Sequence, residues 1–91
     1  MYVTTERAVD NRHLVRVTFE RQTPDSQAPM IEVTYEVRFP GDSYLTEDSA
    51  VIIPLSIVRQ DTRERILLTD EERDMCHQAG AEKAIQMARE H

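Results

Sequence analysis

The chain predicts an α+β fold: an antiparallel sheet of about four strands in the order β-β-β-β-α, with one C-terminal helix packed on one face. Three observations carry this expectation. Residues 13-HLVRVTFE-20 and 31-IEVTYEVRF-39 alternate apolar and polar side chains, the period-2 pattern of strands with one buried and one wet face. The segment between them holds Pro24, Asp25, Ser26 and Pro29, residues that end strands and favour turns, so the two runs read as a hairpin. From Thr69 onward a capping sequence opens a stretch without helix breakers other than Gly80.

At 91 residues the chain is one domain by size, residues 1–91, with a single modest core. Apolar residues make up 40% and charged residues 31%, a globular balance in which no run approaches the roughly 20 apolar residues that a bilayer span requires. The opening MYVTTERAVDNRHL has neither the basic start nor the apolar centre of a secretory signal. A cytoplasmic location and no membrane association are therefore expected. Cys76 is the sole cysteine, so no internal disulfide supports the core.

In chain order, residues 1–12 admit two readings: a strand over Tyr2 to Glu6 with a turn at Asp10-Asn11, or one helical turn over Thr5 to Val9. In the next strand Val15, Val17 and Phe19 face one way and Arg16, Thr18 and Glu20 the other. In the third, Val33, Tyr35 and Val37 oppose Thr34, Glu36 and Arg38. Setting Val17 opposite Tyr35 brings Arg16 to Glu36 and Thr18 to Thr34, both favourable cross-strand pairs. The 21–30 connection then reads as a long, mobile loop. The sequence 39-FPGD-42 suits a type II turn, and 42-DSYLTEDSA-50 follows as a polar, acidic segment.

Pro54 interrupts the β-branched run 51-VIIPLSIV-58. Proline lacks the donor that a central strand needs, so this strand lies at an edge or bends there; a helix opening at Pro54 is the alternative. Alternation of Val51, Ile53, Leu55 and Ile57 favours the strand, and 66-ILL-68 beyond 59-RQDTRE-64 suggests a further hairpin. Thr69 with Glu72 forms a capping box, and Asp70, Glu71 and Glu72 suit the positive end of the helix dipole. The helix runs to about Arg89, with Gly80 costing about 1 kcal/mol relative to alanine.

Chemistry is sparse. Cys76 and His77 are neighbours, but successive helical residues point to different faces, so they make no nucleophile-base pair. Cys76 belongs to an apolar arc with Met75, Ala79 and Met87, a small hydrophobe whose thiol Asp74 would make less acidic. His13, His77 and His91 lie too far apart in sequence for a zinc site, and the acids near the helix start cannot wrap calcium as a loop does. Ser43, Ser49 and Ser56 have no nucleophile-elbow context. Gly41 and Gly80 are the only glycines, so no phosphate-cradling loop forms. No catalysis, no cofactor and no metal are expected; a small enzyme using His13 or His77 is the remote alternative.

Seventeen acidic residues against eleven basic ones give a net charge of −6, and Lys83 is the sole lysine. Direct nucleic-acid binding, which rests on clustered cations, is therefore not expected. Two surfaces remain. The stripe Gly80, Ala84, Ala88 lets another backbone approach closely, the domain's own sheet being its usual occupant. The strand around Pro54 is apolar on both faces, with Ile52 and Val58 beside Pro54 and Ser56, as for a doubly covered or interfacial strand. These point to a small non-catalytic protein-binding or assembly module acting as a homodimer. The alternative is an acidic inhibitor that mimics nucleic acid toward a DNA- or RNA-binding partner, using Asp42, Glu47, Asp48, Asp70, Glu71, Glu72 and Asp74.

Overall fold

A computed structural model of the chain describes residues 1–9, 12–21, 29–39 and 50–89, with residues 6–9 described by their backbone alone. Four strands, β1 (Tyr2–Val9), β2 (Arg12–Glu20), β3 (Met30–Arg38) and β4 (Val51–Arg59), precede one helix, α1 (Asp70–Arg89). They form one antiparallel sheet in the order β1-β2-β3-β4, so the α+β expectation holds in strand number, order and helix position. Of the two readings of the N-terminus the strand is correct. The turns expected at Asp10-Asn11 and over 39–42, the acidic segment 42–49 and most of the loop 21–30 lie outside the described residues.

The alternating runs do what their period dictates. Val15, Val17 and Phe19 on β2 and Ile31, Val33, Tyr35 and Val37 on β3 are buried on the face that α1 covers. The helix packs against β1, β2 and β3, presenting Cys76, Gly80, Ala81 and Ala84 to the sheet. This corrects the expected apolar arc: Met75 is exposed, and Ala81 and Ala84 take the buried positions.

The β2–β3 register departs from expectation by two residues. Val15, not Val17, stands opposite Tyr35; Val17 faces Val33, Arg16 faces Thr34 and Thr18 faces Glu32. A shift of two leaves every side chain on its face, so alternation cannot choose between the two pairings. The structure keeps Arg16 in ionic contact through a diagonal partner, Glu32, at 3.3 Å.

β4 is an edge strand and it also kinks. Thr34 pairs with Ser56 and Tyr35 with Pro54, leaving Leu55 as an extra residue in a bulge. The bulge breaks the expected alternation. Ile57, opposite Val33, and Ile52, opposite Val37, both lie on the helix side, whereas Ile53 and Val58, opposite Glu36 and Glu32, lie on the other. Beyond β4 the chain turns back: the Arg59 amide donates to the Glu64 carbonyl at 2.9 Å, the Ile66 amide to the Ile57 carbonyl at 3.2 Å, and Arg65 bridges Val58. Ile66 and Leu68 then pack against the core, so the short return expected from 66-ILL-68 forms.

Candidate functional site

The helix start is built as its sequence dictates. The Glu72 amide donates to the Thr69 hydroxyl at 3.1 Å and the Thr69 amide to Glu72 Oε1 at 2.9 Å, a closed capping box. Sequence reasoning missed the third member. Arg21, just past β2, donates from Nε and Nη2 to both oxygens of Glu72 at 2.9 and 2.7 Å, and from Nη2 to the Leu67 carbonyl at 2.8 Å. The paired guanidinium holds the Glu72 carboxyl below the usual glutamate range, against the opposing effect of burial. Between the end of β2 (Phe19, Glu20, Arg21) and the first turns of α1 (Thr69, Glu71, Glu72, Met75) lies an open groove of about 470 Å³.

This geometry bears on the predicted acidic patch. Asp42, Glu47 and Asp48 lie outside the described residues. Glu72 is taken by Arg21, and Asp70 accepts from Arg73 Nη2 at 2.8 Å, which leaves Glu71 and Asp74 as the acids of this patch without an ion pair among the described residues. The open face of the sheet carries interleaved charges of both signs: Glu36 sits with Arg12 at 3.9 Å and Arg38 at 3.1 Å, and the nearly buried Glu32 with Arg16 at 3.3 Å and Arg63 at 3.1 Å. A mimic of the uniform phosphate charge needs one sign gathered on one side.

Cys76 is fully buried. Burial pushes its thiol up to about 11, and the negative charge that adds to this is Glu72, not Asp74 as the sequence suggested. The Tyr35 hydroxyl, buried without a well-formed hydrogen bond, is its polar neighbour; burial foremost, then Cys76, raises that hydroxyl too. His77 stacks edge-on against Tyr35 with ring centroids 5.3 Å apart. Burial lowers its pKa, helped by Arg73 and opposed by Asp74. His13 is buried edge-on against Phe39 at 5.7 Å. These contacts are packing: His77 and Cys76 each face Tyr35, and a thiol this weakly acidic is a poor nucleophile. Among the described residues no group of three or more His, Cys, Asp or Glu side chains could hold a metal ion, and no described helix is long and apolar enough to cross a membrane.

The predicted interface residues divide. Gly80 and Ala84 are buried against the chain's own sheet; a Cβ on Gly80 would sit 3.7 Å from Tyr35 Cδ2 and 3.9 Å from Val15 Cγ1. Ala88 is half-buried further along α1. Val58 is buried, and the return segment of the same chain pairs beside it through Arg65. Ile52, on the opposite face from Val58, is half-buried at the margin of the core.

What stays uncovered is the outer flank of β4. Of its apolar residues only Val58 is buried, while Val51 is 46% and Leu55 54% exposed and Pro54 is exposed beside them. Its backbone edge is poorly suited to pairing. Tyr35 turns its peptide groups toward β2, so Pro54 opposite it turns outward, presenting a carbonyl and no donor. The bulge lies next to it, and residues 64–66 occupy the end beyond. Proline, bulge and cover are the usual means of blunting an edge. No protein-family model, curated protein or solved structure matches this chain.

Proposed function

We propose that this protein is a non-catalytic association module, working as a homodimer, whose partner-docking surface is the flank of β4 around Val51, Ile53, Pro54 and Leu55. The observation that carries the reading is the apolar surface left on this strand: Ile52 and Ile57 pack against the core and Val58 is buried, while Val51, Pro54 and Leu55 stay exposed. Exposed apolar patches of this kind mark interaction sites. Because the edge is blunted, contact is made by side chains and not by added strand hydrogen bonds. Glu36 and Arg38, opposite Ile53 and Val51, supply the polar margin typical of an interface.

The test compares wild type with the double variant Val51→Glu/Leu55→Glu as bait in the native cell, after circular dichroism shows both folded. A protein retained by wild type and lost from the variant supports the reading. Identical sets from the two baits overturn it, and a nucleic-acid-binding protein held equally by both and displaced by DNA would favour the acidic mimic.

A further inference from the structure

We infer that the groove between the end of β2 and the first turns of α1 docks a short basic segment of another protein, in which one apolar side chain stands between two cationic ones. The site lies apart from the β4 flank and does not rest on the homodimer reading. Glu20 pairs with Met30 at one end of β3, whereas Val51 pairs with Arg38 at the other.

The lining divides into an apolar floor and an acidic rim. Phe19, 5% exposed, and Met75, 36% exposed, supply the floor, and the flexible thioether of methionine adapts to varied apolar surfaces. Leu67, 88% exposed, stands at the margin, because its carbonyl accepts from Arg21 Nη2 at 2.8 Å. Glu20 on the strand wall and Glu71 on the helix wall have no ion pair among the described residues. The cation in the lining, Arg21, is balanced by Glu72 at two points, and Arg73 nearby is held by Asp70. Two unbalanced carboxylates thus flank the apolar floor.

Those charges choose the occupant. An acidic segment would be repelled, and a bare metal ion finds too few ligands, since no three such side chains are grouped among the described residues. Lysine and arginine lay an apolar stem along apolar surface and keep the charge at its rim, which matches Phe19 and Met75 bordered by Glu20 and Glu71. Length sets the size of the segment. From Thr69 to Met75 the helix rises about 9 Å, the span of about three residues of extended chain. An apolar residue between two cations fills that length: its side chain covers Phe19 and Met75, and the cations reach the two carboxylates.

The test titrates the acetylated, amidated peptide Gly-Arg-Leu-Arg-Gly into the isotope-labelled full-length chain, with NMR shifts locating the site. Saturable shifts are expected at residues 19–21 and 69–75. Glutamate in place of both peptide arginines should abolish binding, and glycine in place of its leucine should weaken it about tenfold. Glu20 and Glu71 are exposed, so Glu20→Gln/Glu71→Gln should fold, as circular dichroism checks, and bind the peptide about tenfold more weakly. Val51→Glu/Leu55→Glu should leave the affinity unchanged, so failure here and failure at the β4 flank are read separately. The inference is overturned by the absence of saturable shifts, by shifts centred elsewhere, by a glutamate or glycine peptide that binds equally, or by a glutamine variant that binds as wild type does.

Discussion

Arg21 at the end of β2 and Glu72 in the first turn of α1 hold each other at two points across 51 residues of chain, at 2.9 and 2.7 Å. The pair fixes where the helix starts over the sheet, because Glu72 is at once the capping residue of Thr69 and the anchor for Arg21. Two-point carboxylate-guanidinium contacts are among the stronger polar interactions when partly screened from water, and both side chains are partly buried. Arg21→Ala should cost about 2 kcal/mol at neutral pH.

The same pair makes a pH prediction. The folded Glu72 carboxyl lies below its ordinary value of 4.5, so its contribution is present above that value and is lost as pH falls through the folded one. The stability gap between wild type and Arg21→Ala should therefore be full at neutral pH and shrink as pH falls below 4.5. Urea titrations across that range measure it; a gap that does not change with acid would mean the pair contributes nothing as an ion pair.

Gly80→Ala should stabilise the protein. The added methyl meets Tyr35 and Val15 at 3.7 and 3.9 Å, ordinary van der Waals contact, at a position of ordinary helical backbone inside α1. Replacing a helix-interior glycine gains about 1 kcal/mol. Thermal melts of the two proteins decide it, and a lower melting temperature in the variant would show that the helix already sits as close to the sheet as it can.

Cys76 should react with a thiol reagent far more slowly in native than in urea-unfolded protein. It is fully buried and its thiol is pushed up to about 11, so both access and thiolate fraction oppose reaction. Matched labelling rates in the two states would contradict the packing of Cys76 under α1.

Arg63 adopts a φ of 61° in the turn after β4 and reaches back to Glu32 at 3.1 Å. Arg63→Ala loses the ion pair and keeps the left-handed backbone; Arg63→Gly loses the same pair and relieves it. The glycine variant should thus be the more stable of the two by about 1 kcal/mol, a difference that parallel urea titrations resolve.

The local rules of the chain settled what is local. Period-2 alternation placed Val15, Val17, Val33, Tyr35 and Val37 on the buried face, and Thr69 with Glu72 marked the helix start, because both depend on residues within a few positions of each other. Pro54 marked an edge for the same reason, since a missing donor is a property of the residue itself. The tertiary structure alone decided the rest. Shifting the β2–β3 register by two preserves every face, so choosing it takes the closure of the whole sheet. The Leu55 bulge reverses the phase of β4, sending Ile52 and Val58 to opposite faces, which no count along the strand reveals. Arg21 meets Glu72 only because distant chain segments are brought together in space. That is why the core and the β4 edge were legible from the sequence, whereas the bulge phase and the Arg21–Glu72 anchor were not.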